Sequence, residues 1–377
     1  MDDPLACRPL PAPRGHPMQG HKHRAGNAAR HATRPRLPIA DPASPAGNAP
    51  SADGKPLRCI PAIGTGLHPT TVNTREAGSL ASKAAQESVA MTAPEPVKWE
   101  IAGTDVAVRL AGDRQQPALL LIHGFPSAST SFRNVIGPLS QDCFVIAPDL
   151  PGFGGSAPIG QPSFAGFADL VDRLLAGLGV ASFHLYLHDF GAVVGLHLAT
   201  RAPHRIRSLI IQNANAHESG MGPGWAATRA YWDNPTPEQE AEATRHLTFD
   251  GTRDQYVGGV PADIAARIDP RLWEADWRIM SLPGRIAMQR RLVLDYRSHF
   301  ARFREIADYL TRQQPPALLL WGRHDIFFEL DETLSWMRAL PRMAAHILDG
   351  PHFLLETHPT ECTALMRAFI RQTEGQR

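Results

Sequence analysis

The first 90 residues of this 377-residue chain contain no Phe, Trp or Tyr; every aromatic lies at or beyond Trp99. A segment without large apolar side chains cannot bury enough surface to offset the entropy of ordering it. The same stretch carries 11 Lys+Arg against 6 Asp+Glu, and no acidic residue between Asp3 and Asp41. Residues 1–90 are therefore expected to be a disordered extension. A transit peptide is a second reading, opposed by Pro9, Pro11 and Pro13, which break the amphipathic helix it needs. A third is that translation starts at Met91, whose Met-Thr-Ala-Pro-Glu-Pro-Val-Lys-Trp-Glu runs straight into the first strand.

Other absences narrow the rest of the chain. No apolar run approaches the ~18 residues of a membrane helix, and the N-terminus has no apolar core of a secretory signal. The four cysteines form no C-x-x-C pair, and neither H-E-x-x-H nor G-x-G-x-x-G occurs. Residues 91–377 hold slightly more acidic than basic side chains, the opposite of a nucleic-acid footprint. The expectation is a reduced, cytoplasmic protein without metal or cofactor and with neither nucleic acid nor membrane as partner.

What is present alternates. Residues 97–102 and 106–111, parted by Gly103-Thr104-Asp105, predict an opening hairpin. Continuous apolar runs at 118–122 and 144–147 suit strands buried on both faces of a parallel sheet, with further strands at 183–187, 206–211, 317–321 and 345–348. Helical spacing separates several of them: Phe167, Leu170, Val171, Leu174, Leu175 and Leu178, then 191–201, then a closing helix at 359–372. Residues 217–313, rich in Trp, Arg and Pro, break the pattern and predict a helical insertion between a first core segment, 91–216, and a second, 314–377. The fold class is α/β, a mostly parallel central sheet flanked by helices.

Three strand ends carry polar residues that suit catalysis. Phe183-His184-Leu185-Tyr186-Leu187 runs into His188-Asp189-Phe190-Gly191-Ala192, the layout of a nucleophile elbow with aspartate at the exposed position. The plainer alternative for Asp189 is a helix N-cap. Asp325 follows the strand at 317–321, and His352 follows the last strand within Asp349-Gly350-Pro351-His352-Phe353. The chain order is thus nucleophile, acid, base.

With these elements, residues 96–372 resemble the α/β-hydrolase superfamily, in the branch of epoxide hydrolases, haloalkane dehalogenases and fluoroacetate dehalogenases that uses an aspartate nucleophile. His123-Gly124-Phe125-Pro126 is similar to that family's oxyanion motif. Pro148-Asp149-Leu150-Pro151-Gly152-Phe153-Gly154-Gly155-Ser156 is similar to its next loop, and His188-Asp189-Phe190-Gly191 to its elbow. The resemblance implies an α/β-hydrolase fold with a helical cap at 217–313. It implies Asp189, Asp325 and His352 as catalytic residues, with the backbone N–H groups of Phe125 and Phe190 as oxyanion donors. A cap tyrosine would protonate the leaving oxygen. Leu294-Asp295-Tyr296-Arg297-Ser298 is similar to the family's cap motif and nominates Tyr296; Tyr231 and Tyr256 both qualify as the second donor, Tyr231 by preference. His123, Pro126, Trp225 and Trp232 are the remaining candidates for substrate contact.

Two departures stand out. Many members have glycine two residues before the nucleophile, where this chain has Leu187. After it, many haloalkane dehalogenases have a Trp that holds the halide and fluoroacetate dehalogenases an Arg; Phe190 offers no side-chain donor. The resemblance thus implies an enzyme acting with water on a small hydrophobic organic substrate, as an epoxide hydrolase, in a monomer or homodimer. A dehalogenase whose cap Trp residues hold the halide, and a non-catalytic ligand-binding homologue, are the alternatives.

Overall fold

The computed structural model describes residues 93–376, so the readings of residues 1–90 lie outside it. Eight strands form one sheet: β1 (Val97–Ile101), β2 (Thr104–Ala111), β3 (Ala118–Ile122), β4 (Phe144–Pro148), β5 (Phe183–His188), β6 (Ile206–Gln212), β7 (Ala317–Gly322) and β8 (Ala344–Leu348). Their spatial order is β1-β2-β4-β3-β5-β6-β7-β8. β1 and β2 pair antiparallel, as do β2 and β4; every later pairing is parallel.

The apolar runs are strands because both faces of the sheet are covered. All of β3 and β5 is buried. Alternate residues of β3 serve different cores: Leu120 and Ile122 join one apolar cluster, Leu119 and Leu121 the other. Helices Phe164–Gly177 and Phe190–Arg201 supply the first, and helices Arg133–Leu139 and Pro359–Gly375 the second. Helices Arg133–Leu139 and Asp331–Ala339 carry too short a pattern to be read from sequence. The opening hairpin also differs. Its turn is Ala102-Gly103, both with positive φ, and Thr104 already pairs with Ile101. A two-residue turn of this kind matches the strand twist.

The chain reverses direction across the sheet at β3, with β4 on one side and β5 on the other, and crevices at such points host ligands. Between β6 and β7 lies the helical insertion. It includes helices Ala226–Asp233, Phe249–Val257, Arg271–Met280, Arg285–Ala301 and Phe303–Gln313. Its entry is pinned by the buried Glu332 carboxylate, which accepts from the backbone N–H groups of Ala216 (2.8 Å) and His217 (3.1 Å) and from the Ser219 hydroxyl (2.6 Å). Further along, Arg285 donates to the carbonyls of Gly152 (2.7 Å) and Ser156 (3.2 Å), fastening the insertion to the loop after β4.

Leu187 finds its space in the helix that follows. A Cβ added to Gly195 would lie 2.3 Å from Leu187 Cδ2, so glycine there admits the leucine. Overpacking in Gly195→Ala costs about 1–3 kcal/mol, against the ~1 kcal/mol that alanine gains over glycine inside a helix, so the protein should lose up to about 2 kcal/mol of stability. With Leu187→Ala in place the clash disappears and the same Gly195→Ala change should become neutral or stabilising. Urea unfolding of the four proteins of this cycle measures the change of sign.

Candidate active site

The turn from β5 into helix Phe190–Arg201 puts Asp189 at φ 49°, ψ −126°, a conformation rarely taken by a non-glycine residue and one that marks sites where geometry is over-determined. The helix can start so close because Gly191 has no side chain; a Cβ there would lie 2.1 Å from the carbonyl oxygen of Ile122. Asp189 Oδ1 accepts from the Phe125 backbone N–H at 2.7 Å, and the Phe190 N–H also faces this carboxylate. Oδ2 faces Nε2 of His352 at 3.9 Å. Burial raises the Asp189 carboxyl above its ordinary range, opposed by His352 and by these two N–H groups.

His352 follows β8 and Asp325 follows β7. The His352 Nδ1–H donates to Asp325 Oδ2 at 2.7 Å. Burial works against the imidazolium, but Asp325 and then Asp189 outweigh it, and the net shift is upward from 6.5. Asp325 is itself fully engaged: Oδ1 accepts from the N–H groups of Phe327 (2.7 Å) and Phe328 (3.1 Å), and Oδ2 also from Asn213 Nδ2 (2.7 Å). Asn213, just past β6, bonds Gly322 through both side-chain atoms as well, tying the ends of β6 and β7 together. The sequence reading did not find it; an Asn immediately after a buried strand, in Asn213-Ala214-Asn215, is the local signal. His188 packs on the opposite side of His352, ring centroids 4.6 Å apart, and burial keeps it well below 6.5.

A cavity of about 300 Å³ opens over Asp189. The core contributes Phe125, Phe190 and the run Ile326-Phe327-Phe328; the insertion contributes Trp225, Tyr296, His246 and Gln255. Burial and the nearby Asp189 push the Tyr296 phenol well above 10, partly offset by Asn215. Burial also lowers His246, to about 4. Neither His246 nor Gln255 had a recognisable motif in sequence.

Four expected residues stand elsewhere. Tyr231 directs its hydroxyl to Glu240 (3.3 Å) and does not line the cavity. Trp232 lies behind Tyr296, its ring nearly parallel at 6.1 Å, and its indole N–H donates to the Val293 carbonyl at 2.9 Å. His123 is a brace: Nδ1 bonds the Gly124 carbonyl (3.0 Å) and Nε2 accepts from the Leu150 N–H (2.9 Å), joining the loops after β3 and β4. Pro126 is buried in that loop away from the cavity lining. Helical periodicity cannot tell which face of the insertion turns toward the core, and a conspicuous His or Trp gives no direction by itself. Tyr256, the other tyrosine considered, bonds Asp276 instead.

This sheet order, with an acid after β5, an acid after β7 and a histidine after β8, is the architecture of an α/β-hydrolase. The profile of the alpha/beta hydrolase fold matches residues 117–359, and the chain belongs to that family. An uncharacterized hydrolase of Saccharomyces cerevisiae is 31% identical over 262 residues, 68% of this chain and 90% of that protein. A fluoroacetate dehalogenase of a Burkholderia species is 28% identical, over 71% and 91% of the two chains. Epoxide hydrolase 3 of Xenopus tropicalis is 29% identical over 70% and 73%. A haloalkane dehalogenase from Bradyrhizobium elkani superposes with a TM-score of 0.59 at 22% identity, over 75% and 99%, a likeness of fold. Its relatives within the family include proteins named epoxide hydrolase, fluoroacetate dehalogenase and haloalkane dehalogenase.

The His352–Asp325 contact has a titratable consequence. Asp325→Asn removes the larger of the two charges holding His352 up, while burial continues to push it down. The imidazole should then titrate below its wild-type value, which NMR of ring-labelled histidine would register. Since the wild-type folded value lies above the ordinary one, the pair's stability is fully present below pH 6.5 and fades as pH rises through the folded pKa. That pH dependence should shrink in the variant.

Proposed function

We propose that the protein is an epoxide hydrolase working through a covalent ester on Asp189. The observation that carries this is the division of labour at one carboxylate: Oδ1 sits against backbone N–H donors while Oδ2 is turned toward His352. Oδ2 attacks an epoxide carbon, the C–O bond breaks toward oxygen, and that oxygen takes the Tyr296 phenolic proton, which solvent later restores. A phenol held well above 10 is protonated at neutral pH, as a general acid must be. His352, oriented by Asp325, then takes a proton from water. The hydroxide adds to the ester carbon, and the charge develops on Oδ1 facing the Phe125 and Phe190 N–H groups. Collapse releases the diol, whose oxygen takes the proton from His352, and Asp189, left as the acid, returns its proton to solvent. Aspartate suits this chemistry because its ester hydrolyses; a serine would be left as an inert ether.

The relatives include a dehalogenase, and the same carboxylate could displace a halide. The two tryptophans that would hold it are already committed: the Trp225 indole N–H donates to the Phe327 carbonyl and that of Trp232 to Val293, both at 2.9 Å. Phe190 offers no donor either. The site favours an electrophile whose leaving atom needs a proton, which Tyr296 can give.

Three variants test the reading by mass spectrometry with epoxides and haloalkanes. His352→Gln should accumulate an adduct on Asp189 and stall, and Asp189→Asn should form none. Tyr296→Phe, which keeps the ring, should slow adduct formation with epoxides by about 10²-fold, as for loss of a general acid. Normal turnover by His352→Gln, or halide release with no diol from any epoxide, would overturn the assignment.

A further inference from the structure

β8 is the outermost strand of the sheet; it pairs with β7 alone and is largely exposed, Ile347 at 47%. The loop that carries His352 therefore leaves a strand that gives it little support. The core holds the His352 carbonyl, which accepts from Gln212 Nε2 at 3.1 Å, and sets Phe327 and Phe328 against the imidazole; the insertion holds the next residue. Tyr256, in helix Phe249–Val257, lies face to face with Phe353, ring centroids 4.3 Å apart and planes 7° apart. Tyr256, Ile268, Trp273 and Phe353 form a small apolar cluster apart from the two that flank the sheet, and Phe353 is its one member from outside the insertion. The Phe353 ring in turn meets His352 and His188 edge-on, each at 5.4 Å. Tyr256 is itself held in place: its hydroxyl donates to Asp276 Oδ2 at 2.5 Å, and the Ser127 side chain, in the loop after β3, bonds the same pair. Tyr256 does not line the cavity over Asp189, so direct contact with substrate does not explain this arrangement.

We propose that Tyr256 is a positioning residue for His352: by clamping Phe353 against the insertion, it sets the imidazole for hydrolysis of the Asp189 ester and not for its formation. The inference rests on the two-step reading above. Ester formation needs Asp189 and Tyr296, which the clamp does not touch, whereas hydrolysis needs His352 in register with a water, and small misplacements of a reacting group are expensive in rate.

The test uses the full chain at pH 8 with Tyr256→Leu, which removes the ring, and Tyr256→Phe, which keeps it. In Tyr256→Leu, ester formation with an epoxide should stay within about twofold of wild type, while hydrolysis slows about tenfold and the adduct accumulates. The low-field proton resonance of the His352–Asp325 bond, observed without substrate, should shift or broaden. Tyr256→Phe should restore both. An unchanged resonance and hydrolysis rate in Tyr256→Leu, or equal slowing of both steps, would overturn the proposal. If Tyr256→Leu does not fold, Phe353→Leu removes the same stack from the other side and carries the same expectations. If wild type forms no ester with any epoxide, the catalytic reading has failed, and the resonance still decides whether the clamp positions His352.

Discussion

Three ionisable side chains share one nearly dry space: the side chains of Asp189, Asp325 and His352 are 9%, 1% and 2% exposed. Buried charges are tolerated only when paired and hydrogen-bonded. Most of the architecture around the site answers that constraint. The loop after β3 brings the Phe125 N–H to Asp189; the turn after Asp325 brings two N–H groups and Asn213 brings a third donor to the second carboxylate. His123, bonded at both ring nitrogens, fixes the first of those loops. The parallel sheet matters because it delivers the ends of β3, β5, β6, β7 and β8 to one edge, where these donors can converge.

The core strands and the elbow were legible because their signals are local. An apolar run broken by His188-Asp189-Phe190-Gly191 is complete in a dozen residues, and so are Asp325 and Asp349-Gly350-Pro351-His352. Contacts between distant segments were not legible. Leu187 stood out as a departure from the family's glycine until Gly195, in the next helix, supplied the room for it. Asn213 gains its meaning only beside Gly322 and Asp325. In the insertion the failure is one of direction: a motif nominated Tyr296, nothing but preference nominated Tyr231, and only packing shows that Tyr231 reaches Glu240 and Tyr296 the cavity.

The residues over Asp189 also set the kind of chemistry the fold can host. Aromatic rings dominate, and the polar groups that reach the cavity from the insertion include the Tyr296 phenol and the His246 imidazole, with Arg245 and Glu242 also on its lining. On the proposed reading, the Phe190 side chain and the committed indole groups of Trp225 and Trp232 offer no donor to a leaving halide.

The junction at Glu332 has a consequence for how such proteins diversify. The carboxylate grips backbone N–H groups of Ala216 and His217, which every residue except proline possesses. The splice point between sheet and insertion is thus defined largely by the core, with the His217 ring and the Ser219 hydroxyl adding side-chain contacts of their own. An insertion of another length or composition can begin at the same place, but it takes with it Tyr296 over the cavity and the stack of Tyr256 on Phe353, so the strand ends keep Asp189, Asp325 and His352 while the insertion decides what meets them.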